Sequence, residues 1–270
     1  MKTKHLSALY ILWMLVFSII PLGVVAYFAF TDFQTSALTM NNILRMGAYL
    51  PIFLKSLWLA LISSVICLVV GYPVAYCIAG RSPMQQRFLY MLIMLPMCMS
   101  FLLRTMAWVA MLEDTGIINS FVTALGLHPL PLIRNDAAVI LGMVYNYLPY
   151  MIMPLYTVIM KIDKNLIEAA QDLGCSPIQV FRTVVLPLSV PGIVSGFTMV
   201  FVPAISTFYI SQKLGSSGTT LIGDVIESQF KTAYNPNLGA AMSLVLMIIV
   251  FICIAVMNRF TDEDEEVATL

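Results

Sequence analysis

Charged residues retreat from six long stretches of the chain: Leu6–Phe30, Ser56–Gly80, Phe88–Leu112, Ala137–Met160, Thr183–Gln212 and Thr232–Asn258, interrupted only by Arg104 in the third. A helix of about 20 apolar residues covers the roughly 30 Å of a bilayer's hydrocarbon core. Each stretch is long enough, which predicts an all-α integral membrane protein with spans at about 6–30, 56–80, 88–112, 137–160, 188–212 and 234–258. The stretches are too long for barrel strands and lack their alternation.

Composition agrees. Of 270 residues, 60% are hydrophobic and 10% charged, and the mean hydropathy is +0.91. A soluble domain carries roughly 25% charged residues and needs them to cover its surface. The formal net charge is zero, so there is no basic field for nucleic acid. No two of the five cysteines have CxxC spacing, and neither a disulfide framework nor a metal site is expected. The first stretch follows Lys2, Lys4 and His5 as a signal peptide would, but its apolar run exceeds the h-region of about 7–15 residues. It reads as an uncleaved first helix.

Lysine and arginine orient the spans. With the N-terminus inside, Lys2, Lys4, Arg81, Arg87, Lys161, Lys164, Arg182 and Arg259 face the cytoplasm. Arg45, Lys55, Arg104, Arg134, Lys213 and Lys231 then lie outside. Both termini and the segment 161–187 become cytoplasmic, and the acidic TDEDEE tail is a solvated terminus.

The segment Lys161–Val190 is a polar island between the fourth and fifth spans. Ile162, Leu166, Ala169, Ala170 and Leu173 recur at helical spacing, while Asp163, Lys164, Glu168, Gln171 and Asp172 fall mainly on the other side. Asn165 is placed to cap this helix, with Glu168 three residues on, and Gly174 suits a left-handed ending. Ser176, Pro177 and Gln179 form a helix-start signal, and a second helix should run to about Leu186 before Pro187 and Pro191 redirect the chain. Helices this short are marginal alone and need a surface to pack on.

Glu168-Ala169-Ala170, then Gly174, Val184 and Leu186-Pro187, resemble the EAA motif of ABC-importer permeases, with Val184 where isoleucine is usual. The resemblance implies the type I importer permease fold. It implies that Leu166, Glu168, Ala169, Ala170, Asp172, Leu173 and Gly174 form a coupling helix seated on an ABC ATPase dimer. It also implies a second permease subunit, an extracytoplasmic substrate-binding protein and a place in the bacterial cytoplasmic membrane. The chain carries no G-x-x-x-x-G-K-[ST], so ATP and Mg are expected on the partner ATPase and no cofactor on this chain. No acid lies near the middle of an uncharged span, which disfavours an ion-coupled carrier. There is no HExxH, and His5 and His128 form no catalytic arrangement, so no enzymatic activity is expected.

GYPVAY at 71–76, Leu95-Pro96, Arg104, LPYMIMPLY at 148–156, VFVPAISTFYISQKLG and LIGDVIESQF at 221–230 resemble the spermidine/putrescine permease subfamily. Permeases for iron, thiamine or phosphonates share much of that scaffold. A polyamine path needs carboxylates, carbonyls or aromatic faces. Candidates are Trp108, Glu113, Asp114, Tyr145 and Tyr147, with Pro203 freeing a carbonyl in the fifth span and Phe208 and Tyr209 following it. Glu113 and Asp114 equally suit a membrane boundary, and the aromatics suit interfacial anchoring. Arg104 is expected to make a structural contact with helix-end carbonyls at the outer edge of the third span. Asp224 and Glu227, three residues apart, either meet substrate or binding protein or form a solvated face.

Overall fold

The computed structural model describes the backbone of residues 2–33, 35, 37–216 and 218–268, and side chains within 13–257 (34, 36 and 217 apart) together with 259. The side chains of Lys2, Lys4 and His5 and of the TDEDEE tail lie outside the described residues. Among the described residues the fold is helical, with one isolated antiparallel bridge between Thr31 and Leu38.

Helix α1 spans Lys2–Ala29. A short α2, Asn41–Arg45, passes through the tight turn Met46–Tyr49 into α3, Leu50–Ala79. That helix starts earlier than the charge pattern suggests, because Pro51 sits in its first turn, where a missing N–H costs nothing. There follow α4 (Pro83–Met94), α5 (Phe101–Leu112), α6 (Ile117–Ala124) and α7 (Asp136–Ile159). The cytoplasmic-loop candidate holds α8 (Lys164–Asp172), α9 (Pro177–Val180) and, after a wide turn at Phe181–Val185, α10 (Leu186–Leu188). The chain continues as α11 (Val190–Ile205), α12 (Tyr209–Leu214), α13 (Ile222–Lys231) and α14 (Pro236–Ala268).

Two of the expected spans are not single straight helices. The run 88–112 bends by 87° between Pro83–Cys98 and Phe101–Ala124. Pro96 tightens Leu95–Cys98 into a 3-10 turn, and Met99 and Ser100 are extended. The run from Thr183 bends by 63° at Ser189, between Pro177–Leu188 and Val190–Ile205, and breaks again after Ile205. Asn41–Ala79, Asp136–Ile159 and Pro236–Met257 are each long and apolar enough to cross a membrane, each bent pair adds one more if counted as a span, and Trp13–Ala29 is a shorter apolar helix.

The packed centre is α3, α7 and α11. Ala60 and Cys67 of α3, Met143, Met151 and Leu155 of α7, and Val200 and Ala204 of α11 are wholly buried. Close approach of α7 and α11 depends on Gly196: a Cβ there would lie 2.8 Å from Met151 Sδ and 3.1 Å from its carbonyl oxygen. Small residues at helix contacts are how helices pack where lipid removes the hydrophobic drive. Trp13, Phe17 and Ile20 on α1, Trp58 and Val69 on α3, and Phe251 and Ile252 on α14 are exposed, as a lipid-facing perimeter requires.

Buried polar groups tie the helix ends. Asn42 Nδ2 donates to the carbonyls of Ala29 and Thr31, and Asn237 Nδ2 to those of Phe28 and Thr31. Two distant asparagines thus satisfy carbonyls at the end of α1. Ser56 Oγ accepts the Ile222 N–H at 2.7 Å, fixing the start of α13 to the start of α3.

Candidate functional site

Helix α8 is capped by Asp163, whose Oδ1 accepts the Asn165 N–H at 3.0 Å. Asn165 therefore stands inside the helix rather than at its cap. Aspartate is as good a cap, and it lies one residue before the first helical position. At the other end Gly174 has φ +84°, and the Cys175 N–H reaches the Ala170 carbonyl at 3.1 Å. Nothing lies within 4 Å of where a Gly174 Cβ would sit, so the backbone conformation and not space selects glycine. Ser176 then caps α9 through a reciprocal box: the Ser176 N–H donates to Gln179 Oε1 at 2.7 Å, and the Gln179 N–H to Ser176 Oγ at 3.4 Å. The loop is a helix, a tight turn and a second helix, with each terminus locally satisfied.

Ile167 and Ala170 of α8 are half-covered by the chain itself. Leu166, Glu168, Ala169, Asp172, Leu173 and Gly174 are exposed, Leu173 at 86%. Beside them Ile178 is 72% exposed. Solvent-facing leucine and isoleucine on a rigidly capped helix pair form an unpartnered surface. The loop is joined to the bundle through Phe181, whose ring meets Tyr72 edge-on at 5.6 Å and Tyr76 at 5.8 Å. Tyr72 and Ser189 hydroxyls are 2.7 Å apart, beside the 63° bend.

The pathway candidates fall into separate groups. Trp108 and Tyr145 meet edge-on at 5.3 Å. The Tyr147 hydroxyl donates to the Pro203 carbonyl at 3.4 Å, and the Tyr147 ring lies 6.4 Å from that of Tyr150. Pro203 lies inside α11, and the break comes after it, at 206–208. Tyr209 packs on Phe101 at 6.2 Å, with Lys213 Nζ 5.9 Å from its ring centre. Glu113 and Asp114 are exposed at the end of α5, and the Glu113 backbone carbonyl accepts from Gly116 N–H and Asn119 Nδ2. Arg104 does not contact helix-end carbonyls at the outer edge of its span. It is buried in the first turn of α5, beside the 87° bend, and its Nε and Nη1 have no partner among the described residues.

Phe208 opens onto a cavity of about 440 Å³ between α11, α13 and α14. Its walls are largely apolar, including Val202, Ile226, Leu246 and Val250, and Glu227 is the one charged residue among those lining it. Glu227 Oε1 accepts Lys231 Nζ at 2.6 Å, and its Oε2 accepts the Gln212 amide. The Lys231 ammonium holds the Glu227 carboxyl below the usual carboxylate range. A second polar junction joins Lys55 Nζ to Asp136 Oδ1 (3.1 Å) and to the Gly218 carbonyl (2.8 Å), while Thr219 Oγ1 donates to the same carboxylate oxygen at 2.6 Å. Local sequence carries no sign of contacts between residues 83 and 163 positions apart.

A helical bundle with several helices long and apolar enough to cross a membrane and an exposed, capped helix pair suits a membrane transport subunit, and related proteins supply the class. The chain belongs to the family of binding-protein-dependent transport system inner membrane components, which matches residues 68–262. It is 34% identical to the spermidine/putrescine transport system permease protein PotB of Haemophilus influenzae, over 92% of this chain and 90% of that protein. It is 35% identical to PotB of Escherichia coli, over 92% and 93% of the two chains. Among solved structures, a subunit of a bacterial importer of the acidic polysaccharide alginate aligns with TM-score 0.80 at 15% identity, covering 97% of this chain and 95% of that one. A chain of the inward-facing MetNI methionine transporter aligns with TM-score 0.61 at 18% identity, covering 83% and 97%. The chain is thus a multi-pass inner-membrane permease subunit of an ABC importer.

Proposed function

We propose that this permease carries polyamines, spermidine or putrescine, inward by alternating access, driven by a separate ATPase dimer seated on α8. The single observation that carries the cargo is the full-length similarity to PotB proteins at about 35% identity. The exposed face of α8 supports the coupling role. In this reading the chain has six spans with both termini cytoplasmic, and the exposed face of α8 lies on the ATPase side. The complete machine pairs this chain with a second permease and an extracytoplasmic binding protein. This chain holds no nucleotide and performs no chemistry of its own.

Closure of the ATPase dimer displaces Glu168–Gly174, and the capped helix moves as one body. Phe181 passes the displacement to Tyr72 and Tyr76 on α3, and Ser189 to α11. Trp108, Tyr145 and Phe208, which keep open ring surface, offer aromatic faces to a cation on its way through, whereas Tyr147 is buried in the core. The test is to purify the assembled transporter and measure its ATPase activity with the binding protein and each cargo. Stimulation by putrescine or spermidine is expected. Stimulation by ferric iron, thiamine or a phosphonate in their place would overturn the cargo while leaving the permease role.

A further inference from the structure

The cavity beside the helix break has a chemical character of its own. It is lined by apolar side chains, by Phe208, by Ser206 and Ser243, whose hydroxyls donate to backbone carbonyls of their own helices, and by Glu227. Its volume, about 440 Å³, falls within the range of small-molecule sites. It lies at the end of the bundle away from the coupling loop: α13 is fixed to Ser56, whereas the loop meets α3 at Tyr72, roughly 24 Å further along that helix.

Glu227 and its partner are unequally held. The Glu227 side chain is 18% exposed and Lys231 is 72% exposed. The Glu227 side chain is the more covered of the two, and the exposed Lys231 reaches it on a flexible stem. An i,i+4 pair of this kind is weak. Lys231 and Gln212 occupy one oxygen each, and a carboxylate has about four acceptor positions, so capacity remains. A lysine side chain is four methylenes ending in a primary ammonium, which is also the chemistry of one end of a polyamine. Lys231 is a tethered copy of the group that the carboxylate suits.

We propose that Glu227 is an alkylammonium-accepting subsite at the outward end of the pathway, and that Lys231 occupies it until a cargo ammonium displaces it. The cargo's methylenes then lie along Val202 and Ile226, with Phe208 facing the cation. The proposal rests on the polyamine reading given above.

The two partners should give opposite phenotypes. In proteoliposomes holding the assembled transporter, ATP-driven uptake of radiolabelled putrescine and spermidine is measured for wild type, E227Q, K231M and the double variant. E227Q should lose about tenfold in uptake, the equivalent of one lost charge contact. K231M should equal or exceed wild type, with a lower half-saturating concentration, and the double variant should resemble E227Q. If E227Q and K231M fall in parallel, the pair merely staples α13 and the subsite is overturned. Uptake by E227Q within twofold of wild type overturns it as well, leaving a groove for lipid or the second subunit. If wild type imports neither polyamine, both the subsite and the cargo reading fall.

Discussion

The Tyr72 hydroxyl donates to Ser189 Oγ at 2.7 Å, and Ser189 in turn donates to the Leu186 carbonyl at 2.9 Å. One buried hydrogen-bond relay thereby links α3 to the bend between α10 and α11. Tyr72→Phe keeps the ring against Phe181 and removes only the donor. We expect a stability loss of about 1 kcal/mol, the net value of such a bond. ATP hydrolysis should persist while cargo moved per ATP falls. An unchanged transport-to-hydrolysis ratio would show that the relay plays no part in coupling.

The surface of α8 gives a second prediction. Glu168→Arg reverses a charge on the exposed helix without touching the bundle, so the protein should remain in the membrane and uptake should be abolished. Gly174→Ala forces a Cβ into a left-handed conformation at a cost of roughly 1–2 kcal/mol, with no steric clash. It should weaken transport without abolishing it. Co-purification of the ATPase with each variant separates lost docking from lost motion.

Gly196→Leu should fail more severely. The added side chain meets Met151 and Pro154 at the centre of the bundle, where overpacking costs about 1–3 kcal/mol or more. Thermal unfolding in detergent should show a lower midpoint, and membrane levels should fall. Gly196→Ala should show the same defect in milder form.

Lys55→Met removes the cation that joins Asp136 to the Gly218 carbonyl. The pair is partly exposed, so its loss should cost only about 1 kcal/mol. The local effect is larger, because the loop around Gly218 loses its tie to α3. Limited proteolysis should cut that loop faster in the variant, with the rest of the digestion pattern unchanged.

Asp224 supplies a pH prediction. Its Oδ2 accepts the Leu221 N–H at 2.8 Å, capping α13, while its Oδ1 is buried with no hydrogen-bond partner among the described residues. Burial raises the carboxyl above its ordinary value of 3.8, and the hydrogen bonds around it do not reverse that. The folded state therefore favours the protonated form, and stability falls as pH rises from the ordinary value through the raised one. Asp224→Asn keeps an acceptor for the cap and should remove this dependence, gaining stability at neutral pH. Asp224→Ala should lose about 1 kcal/mol of capping. Detergent melting curves at pH 4 and pH 7 compare the three proteins.

Much of the loop 161–187 was legible because its signals are local. Gly174, and the Ser176–Gln179 box, act within a few residues, and the structure places their hydrogen bonds where the spacing requires. The misplaced cap, Asn165 for Asp163, is a choice between two equally competent residues two positions apart. The apolar stretches likewise announce helices, since a backbone in lipid must satisfy itself internally. Hydrophobicity is nevertheless blind to direction. It reads 88–112 as one span, whereas Pro96 and two extended residues turn the chain by 87°. Arg104 shows the same limit: its place in the chain suggested an edge, and the bend carried it inside.

By itself, the sequence determined that this protein is a helical membrane protein with a locally capped helix pair, because periodicity, capping and hydropathy are properties of neighbouring residues; its likeness to permeases rested on the EAA spacing. Only the tertiary structure decided which polar groups meet. Tyr72 reaches Ser189, Lys55 reaches Asp136, and Gln212 reaches Glu227 because bends and close helix contacts bring distant segments together. The reason is physical: a hydrogen bond or an ion pair depends on distances of a few ångströms, and those distances are set by how the helices pack.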